Sequence, residues 1–360
     1  MTSLKKTGGR LTFLLAAGAV WACDIPTDSP LTEQKWAIPL SSTSVPVGEF
    51  LPDAVGFNQD SSAFTVQIDA ISFEEDLGTL CSACAGLDGL TVPKPAFAGS
   101  FSESVDLPED VESVQVQDGV VVVEALNGFT FDPLRPPGGE TGTITVALRE
   151  GSPNGTILDQ VVVDGATSSF APGTRLSREL EYSGTVGGSI SVTVEVDSPA
   201  GGMEPGNWVL VRLNDEVVAT ATPEDVEAST VEIEVSGETY DLEPTDLDVE
   251  DVLESTVEKV QSGTLHLNVV NPWSVGAVAT LTIIGPTMAE PVVLIAPIPA
   301  APTSSVEVAL SQADLQAFLG QPNVVLIGQG TVDQNAGTVG VAPAQIMTIG
   351  TDLDLTLLIG

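Results

Sequence analysis

Between Gly187 and Gly202 the chain reads GGSISVTVEVDSPAGG, with Ile190, Val192, Val194 and Val196 on every second residue. A side-chain period of two belongs to a strand with one buried and one solvated face, and an α-helix would scatter these four residues around its axis. The pattern recurs in TGTITVALRE (141–150), TILDQVVVDG (156–165), STVEIEVSG (229–237), GTLHLNVV (263–270) and TDLDLTLLIG (351–360). In STVEIEVSG, Val231, Ile233 and Val235 alternate with Thr230, Glu232 and Glu234. One apolar and one acidic face per strand predict an all-β body of two or three sandwich-like units with solvated outer faces.

Turn signals divide the strands. GSPNG (151–155) breaks two of them, and Gln117-Asp118-Gly119 predicts a hairpin turn inside VESVQVQDGVVVVEALNGFTFDP. Residues 207–222 predict a second hairpin turning at Asn214-Asp215. Phe64 to Phe73 reads as one strand with a slip in its alternation. SQADLQAFLG is the best helix candidate: Ser311 can cap it, Asp314 stands at the third helical position, and Gly320 ends it. The C-terminus alternates to its last residues, as a strand tied into a sheet would. It carries no terminal aromatic or regular lipid-facing repeat of an outer-membrane barrel.

The N-terminus is built differently. Lys5, Lys6 and Arg10 precede a ten-residue apolar run, Leu11 to Val20, too short to span a bilayer. Small Ala22 then precedes Cys23, completing the layout of a secretory signal. Val20-Trp21-Ala22-Cys23 resembles the lipobox of bacterial lipoproteins, although Trp21 is bulkier than that family usually carries. The resemblance implies cleavage before Cys23 and a diacylglycerol thioether on its sulfur. The protein would be extracytoplasmic, lipid-anchored to the outer membrane in preference to the inner. Asp24 is the residue that holds some lipoproteins in the inner membrane. Two or three acyl chains, at roughly 0.8 kcal/mol per buried methylene, anchor firmly.

The chain would divide into a signal peptide (1–22), a lipid anchor and Pro/Ser/Thr-rich tether (23–47), and a segment with a Cys-x-x-Cys (48–104). A β-sandwich region (105–255) and a C-terminal β domain with one short helix (256–360) would follow. Trp36 to Leu40 could already form a strand, confined to an edge by Pro39. Three stretches resemble one another, beginning at Val111, Ser183 and Val257, and the first and third share Val-Glu-x-Val-Gln. Their spacings of 72 and 74 residues suit duplicated sandwich-sized units. In the third, Leu265 to Val270 is followed by Asn271-Pro272 and a further strand, Ala277 to Ile284. That layout resembles the group-2 late-embryogenesis-abundant, or water-stress, domain. It implies a non-catalytic β-sandwich making lipid or protein contacts. Asn-Pro can equally be a turn whose Asn side chain caps the backbone.

The whole chain holds 11 Lys plus Arg against 50 Asp plus Glu. Three of the basic residues lie before Cys23, so the body beyond it has 8 against 50, a net charge of −42. Such a body is repelled by nucleic acid and by anionic headgroups. It is not a disordered polyelectrolyte, because the mean hydropathy is +0.26. Cys81-Ser82-Ala83-Cys84 lacks two further zinc ligands, since the chain has three Cys and one His. Its acidic flanks (Glu74, Glu75, Asp76, Asp88) disfavour a thiolate, so a structural disulfide is expected over a redox pair, metal ligands or free thiols. His266 stands on a strand with no Gly-x-Ser-x-Gly elbow, and no phosphate loop or dinucleotide fingerprint is present. The run Asp241 to Thr256 is dense in carboxylates but lacks EF-hand order. Ca²⁺ there is possible but unsupported, and a solvated loop is expected. The sequence thus predicts no catalytic residue, metal or cofactor. It predicts a cell-envelope lipoprotein, not an enzyme, with a structural or binding role and an envelope protein or lipid as partner. The alternatives are a lipid- or ligand-carrying β module and a carboxylate-based hydrolase.

Overall fold

The computed structural model describes residues 32–359. Two β-sandwiches account for nearly all of them. In the first, one sheet runs β10 (Arg175–Gly187), β7 (Val111–Asn127), β13 (Glu216–Glu234), β3 (Phe64–Val66), β2 (Val55–Phe57). β4 (Ile71–Asp76) and β20 (Thr338–Val341) pair with the two ends of β13. The second sheet runs β6 (Phe97–Asp106), β11 (Ser189–Ser198), β8 (Thr143–Glu150), β9 (Ile157–Asp164). Ile190, Val192, Val194 and Val196 of β11 are all buried, as their alternation requires. A two-stranded ribbon, β5 (Thr91–Pro93) with β12 (Trp208–Leu210), closes one end.

The other sandwich has one sheet ordered β1 (Thr32–Pro46), β21 (Ile346–Ile359), β15 (Val260–Val270), β18 (Thr303–Ser311). Its partner sheet runs β14 (Thr239–Leu247), β19 (Val324–Val332), β16 (Ala277–Ile284), β17 (Val292–Ile298). The two sandwiches share one strand order. β10-β7-β13 corresponds to β18-β15-β21, and β6-β11-β8-β9 to β14-β19-β16-β17. The stretches beginning at Val111 and Val257 therefore occupy equivalent places, on β7 and leading into β15. The stretch beginning at Ser183 lies on β10 and β11 of the first sandwich, so the repeat is twofold and its unit is a whole sandwich.

Residues 32–46 are not a tether. They form the edge strand of the second sandwich, paired in antiparallel register from Thr32 with Ile359 to Pro46 with Ile346. Pro39 sits at this edge beside the irregularity at 39–42, where a missing N–H costs no ladder bond. Segment 48–104 is not a separate unit either, since β2, β3, β4 and β6 complete the first sandwich. The sandwich boundary falls between β13 and β14, before residue 255. The first half of the acidic run 241–256 is a strand and not a loop. Leu242 and Leu247 of β14 are buried while Asp241, Glu243 and Asp246 face outward.

Two predicted hairpins are absent. Asp118-Gly119 lies within the continuous β7, where the pairing to both neighbours shifts register, so a bulge takes up the Asp-Gly flexibility. Asn214-Asp215 joins β12 to β13, which belong to different sheets. Phe64 to Phe73 splits into β3 and β4 where its alternation slips. The predicted helix, α3 (Gln312–Phe318), forms with Ser311 and Asp314 in a reciprocal capping box.

Both of the chain's tyrosines cover a glycine across a strand pair. Tyr182 lies over Gly119 and Tyr240 over Gly330, where a Cβ would fall 2.7 and 2.0 Å from ring carbon. Neither hydroxyl has a partner among the described residues, and burial pushes both phenols up to about 12. The native state therefore keeps a proton that the unfolded chain loses near pH 10. Stability present below pH 10 should be lost as pH rises towards 12, by roughly 2–3 kcal/mol per tyrosine. Denaturant titrations should show this decline in the wild type and a flatter profile in Tyr182→Phe/Tyr240→Phe.

The sandwiches meet through an apolar joint. Phe50 stacks edge-on with Trp273 at 4.7 Å and Tyr240 at 5.0 Å between ring centroids. Val235, Val275, Val332, Val339 and Val341 surround it. β20, contributed from beyond β19, pairs with the end of β13 and so stitches the two bodies together.

Candidate functional site

A buried asparagine stands where each of β7 and β15 ends. Asn127 is fully buried at the last position of β7. Its Oδ1 accepts the Phe129 N–H at 2.8 Å, and its Nδ2 donates to the carbonyls of Phe131 and Phe170. Asn271, one residue past β15, repeats the arrangement. Its Oδ1 accepts the Trp273 N–H at 2.9 Å, and its Nδ2 donates to the carbonyls of Val275 and Pro299. In each sandwich the side chain turns the chain out of one sheet and ties it to the loop before the next strand of that sheet. The Asn-Pro pair is thus a side-chain-capped turn.

A second knot lies nearby in the first sandwich. Lys94, only 1% exposed, follows β5 between Pro93 and Pro95. Its Nζ donates to the carbonyls of Pro95 (2.9 Å), Ser198 (3.3 Å) and Pro199 (2.6 Å), an acceptor for each ammonium proton. It also stands 4.8 Å from the Phe97 ring centroid and 5.5 Å from that of Phe131. Burial pulls its pKa down to about 8, opposed by the nearby Asp197 carboxylate. With every donor engaged, this lysine is a structural cation and has no proton or lone pair to offer a substrate. Sequence reasoning passed over it, and its one signal is a lone cation flanked by prolines beside Phe97.

Cys81 and Cys84 lie just after α1 (Leu77–Leu80). Asp76 caps that turn by accepting the Thr79 N–H at 2.7 Å. The two sulfurs are 1.96 Å apart in a disulfide, and both residues are 1% exposed. The acidic residues around them stay on the outside, so the sulfurs are sheltered from a thiol partner. Cys23, the predicted lipidation site, lies outside the described residues.

His266 sits on the outer face of β15 between two carboxylates, Nε2 3.3 Å from Asp354 and Nδ1 3.7 Å from Glu307. Its neighbours form a cross-strand charged row on an exposed sheet face, which also includes Asn268 donating to Asp352. Six carboxylates, those of Glu49, Asp53, Glu109, Asp110, Glu234 and Glu238, line a cleft beside Phe50. Among the described residues no three His, Cys, Asp or Glu side chains converge as a metal site.

No family profile matches the chain. No curated protein matches it either. Among solved structures, a candidate secreted protein from Parabacteroides distasonis aligns over 89% of this chain and 99% of its own, at 10% identity and TM-score 0.32. A subviral particle protein of infectious bursal disease virus aligns over 92% and 74%, at 11% identity and TM-score 0.20. Dimeric latent PorU from Porphyromonas gingivalis aligns over 77% and 22%, at 11% identity and TM-score 0.20. Likenesses at these scores carry no common fold or function, and the functional argument rests on this chain's own residues.

Proposed function

We propose that the chain is an extracytoplasmic lipoprotein, held to a bacterial membrane through acylated Cys23, whose tandem sandwiches serve a structural or binding role without catalysis. The observation that carries this reading is the run from Lys5 to Cys23, a charged, apolar and small-residue sequence ending in the acceptor cysteine. The buried disulfide between Cys81 and Cys84 supports an oxidising compartment. The polar groups inside the sandwiches support a structural role, since Lys94, Asn127 and Asn271 spend their hydrogen bonds on backbone carbonyls and amides. The local resemblance of Leu265 to Ile284 to water-stress domains points the same way.

Cys23→Ser should move the protein from the membrane fraction to the soluble fraction on fractionation of the producing cells. It should also abolish incorporation of a labelled fatty acid. Unchanged membrane retention and labelling would refute the anchor.

A further inference from the structure

We propose that the charge-free outer face of β16, β17 and β19 rests on the lipid surface to which the chain is anchored. This inference depends on acylation of Cys23. These three adjacent strands contain no Asp, Glu, Lys or Arg, in a chain with 61 such residues. Their outward positions include Val278, Ile284, Val293 and Ile295, the last two 56% and 68% exposed, with Thr280 and Thr282 between. The molecule supplies its own comparison. The equivalent strands of the first sandwich carry Asp159 and Asp164 on β9, Arg149 and Glu150 on β8, and Glu195 and Asp197 on β11. An exposed sheet edge is ordinarily guarded by such charges, and β17 has none.

The anchor selects the occupant. Thr32 and Ile359 pair at the end of the second sandwich opposite the Phe50–Trp273 joint. The chain therefore leaves towards Cys23 from the tip farthest from the first sandwich. Nine residue steps separate Cys23 from Thr32, a reach of at most about 30 Å. The second sandwich is thus the membrane-proximal body. The outer face of its other sheet bears Glu307, Asp352 and Asp354, and β14 beside β19 turns Asp241, Glu243 and Asp246 outward, all of which a headgroup layer repels, leaving the β16–β17 side of this sheet as the part a bilayer accepts.

The test uses the full lipidated chain in phosphatidylcholine vesicles, spin-labelled at Ile295→Cys or, on the equivalent strand of the first sandwich, at Gln160→Cys. The native cysteines are acylated or in the disulfide, so each variant has one free thiol. Lipid contact should lower the Ile295 label's accessibility to an aqueous nickel complex at least about threefold relative to the Gln160 label, and raise its accessibility to oxygen. Equal accessibility at both positions in vesicle-bound protein overturns the docking while leaving the anchor standing. Dipolar broadening between Ile295 labels would assign the face to a second copy instead. Protein that stays off the vesicles, with Cys23 unacylated, overturns the anchor and the docking together.

Discussion

Lys94→Met should destabilise the first sandwich by about 2–4 kcal/mol, because it leaves the carbonyls of Pro95, Ser198 and Pro199 without donors while keeping most of the apolar volume. In a body of this size that is a fall of roughly ten degrees in melting temperature. The pH dependence separates this cause from simple loss of packing. Burial lowers the folded pKa of Lys94 to about 8, below its ordinary 10.5. The unfolded chain thus holds the proton more tightly, and wild-type stability should rise as pH goes from about 8 towards 10. The Met variant has no such proton and should lose that rise. The gap between the two proteins then widens with pH over this window. A gap that stayed constant from pH 7 to 10 would mean that the ammonium is not desolvated as the structure shows. Calorimetry at pH 7, 8.5 and 9.5 makes the comparison before the two tyrosines begin to titrate.

Alternation was the part of this architecture that could be read from residues alone. A period of two needs only neighbouring residues, so β8, β9, β11, β15 and β21 were legible, and so was α3, whose cap lies within four residues. Sheet membership was not, because it is decided by residues far apart. Thr32 pairs with Ile359, and nothing local to TEQKWAIPL announces that partner. Pro, Ser and Thr in the same stretch mimic a linker, although an edge strand tolerates all three. Asp118-Gly119 was misleading for a related reason. The dipeptide relaxes the backbone, and whether that produces a turn or a bulge depends on the long neighbours β10 and β13 that hold β7 straight. The repeated strand order was hinted at by Val-Glu-x-Val-Gln in two places, but its period was blurred by a third alternating stretch that belongs to the first sandwich. Lys94 was hidden because its three acceptors come from its own neighbour and from the end of β11, more than a hundred residues away.

Asn127→Leu should cost roughly 3–5 kcal/mol, the penalty for stranding one amide and two carbonyls in a buried site. Asn271→Leu strands the equivalent groups of Trp273, Val275 and Pro299, but two of those bonds are only part-buried, so water can offset more of the loss and about 2–4 kcal/mol is expected. The two variants should nonetheless differ in kind. Asn127 lies at the end of the first sandwich away from the joint, where β7 ends opposite the start of β13. Its loss should lower one unfolding transition and leave the second sandwich's untouched. Asn271 instead positions Trp273, which packs on Phe50 and donates from Nε1 to Gln345 at the joint. Its loss should loosen the contact between the sandwiches and shift both transitions. Calorimetric scans of the two variants should therefore show one displaced peak for Asn127→Leu and two for Asn271→Leu. Identical single-peak shifts would mean that the two sandwiches unfold as one unit and that the apolar joint is as strong as either core. The same motif, repeated once at a free tip and once at a junction, thus makes local stability in one copy and coupling between the copies in the other.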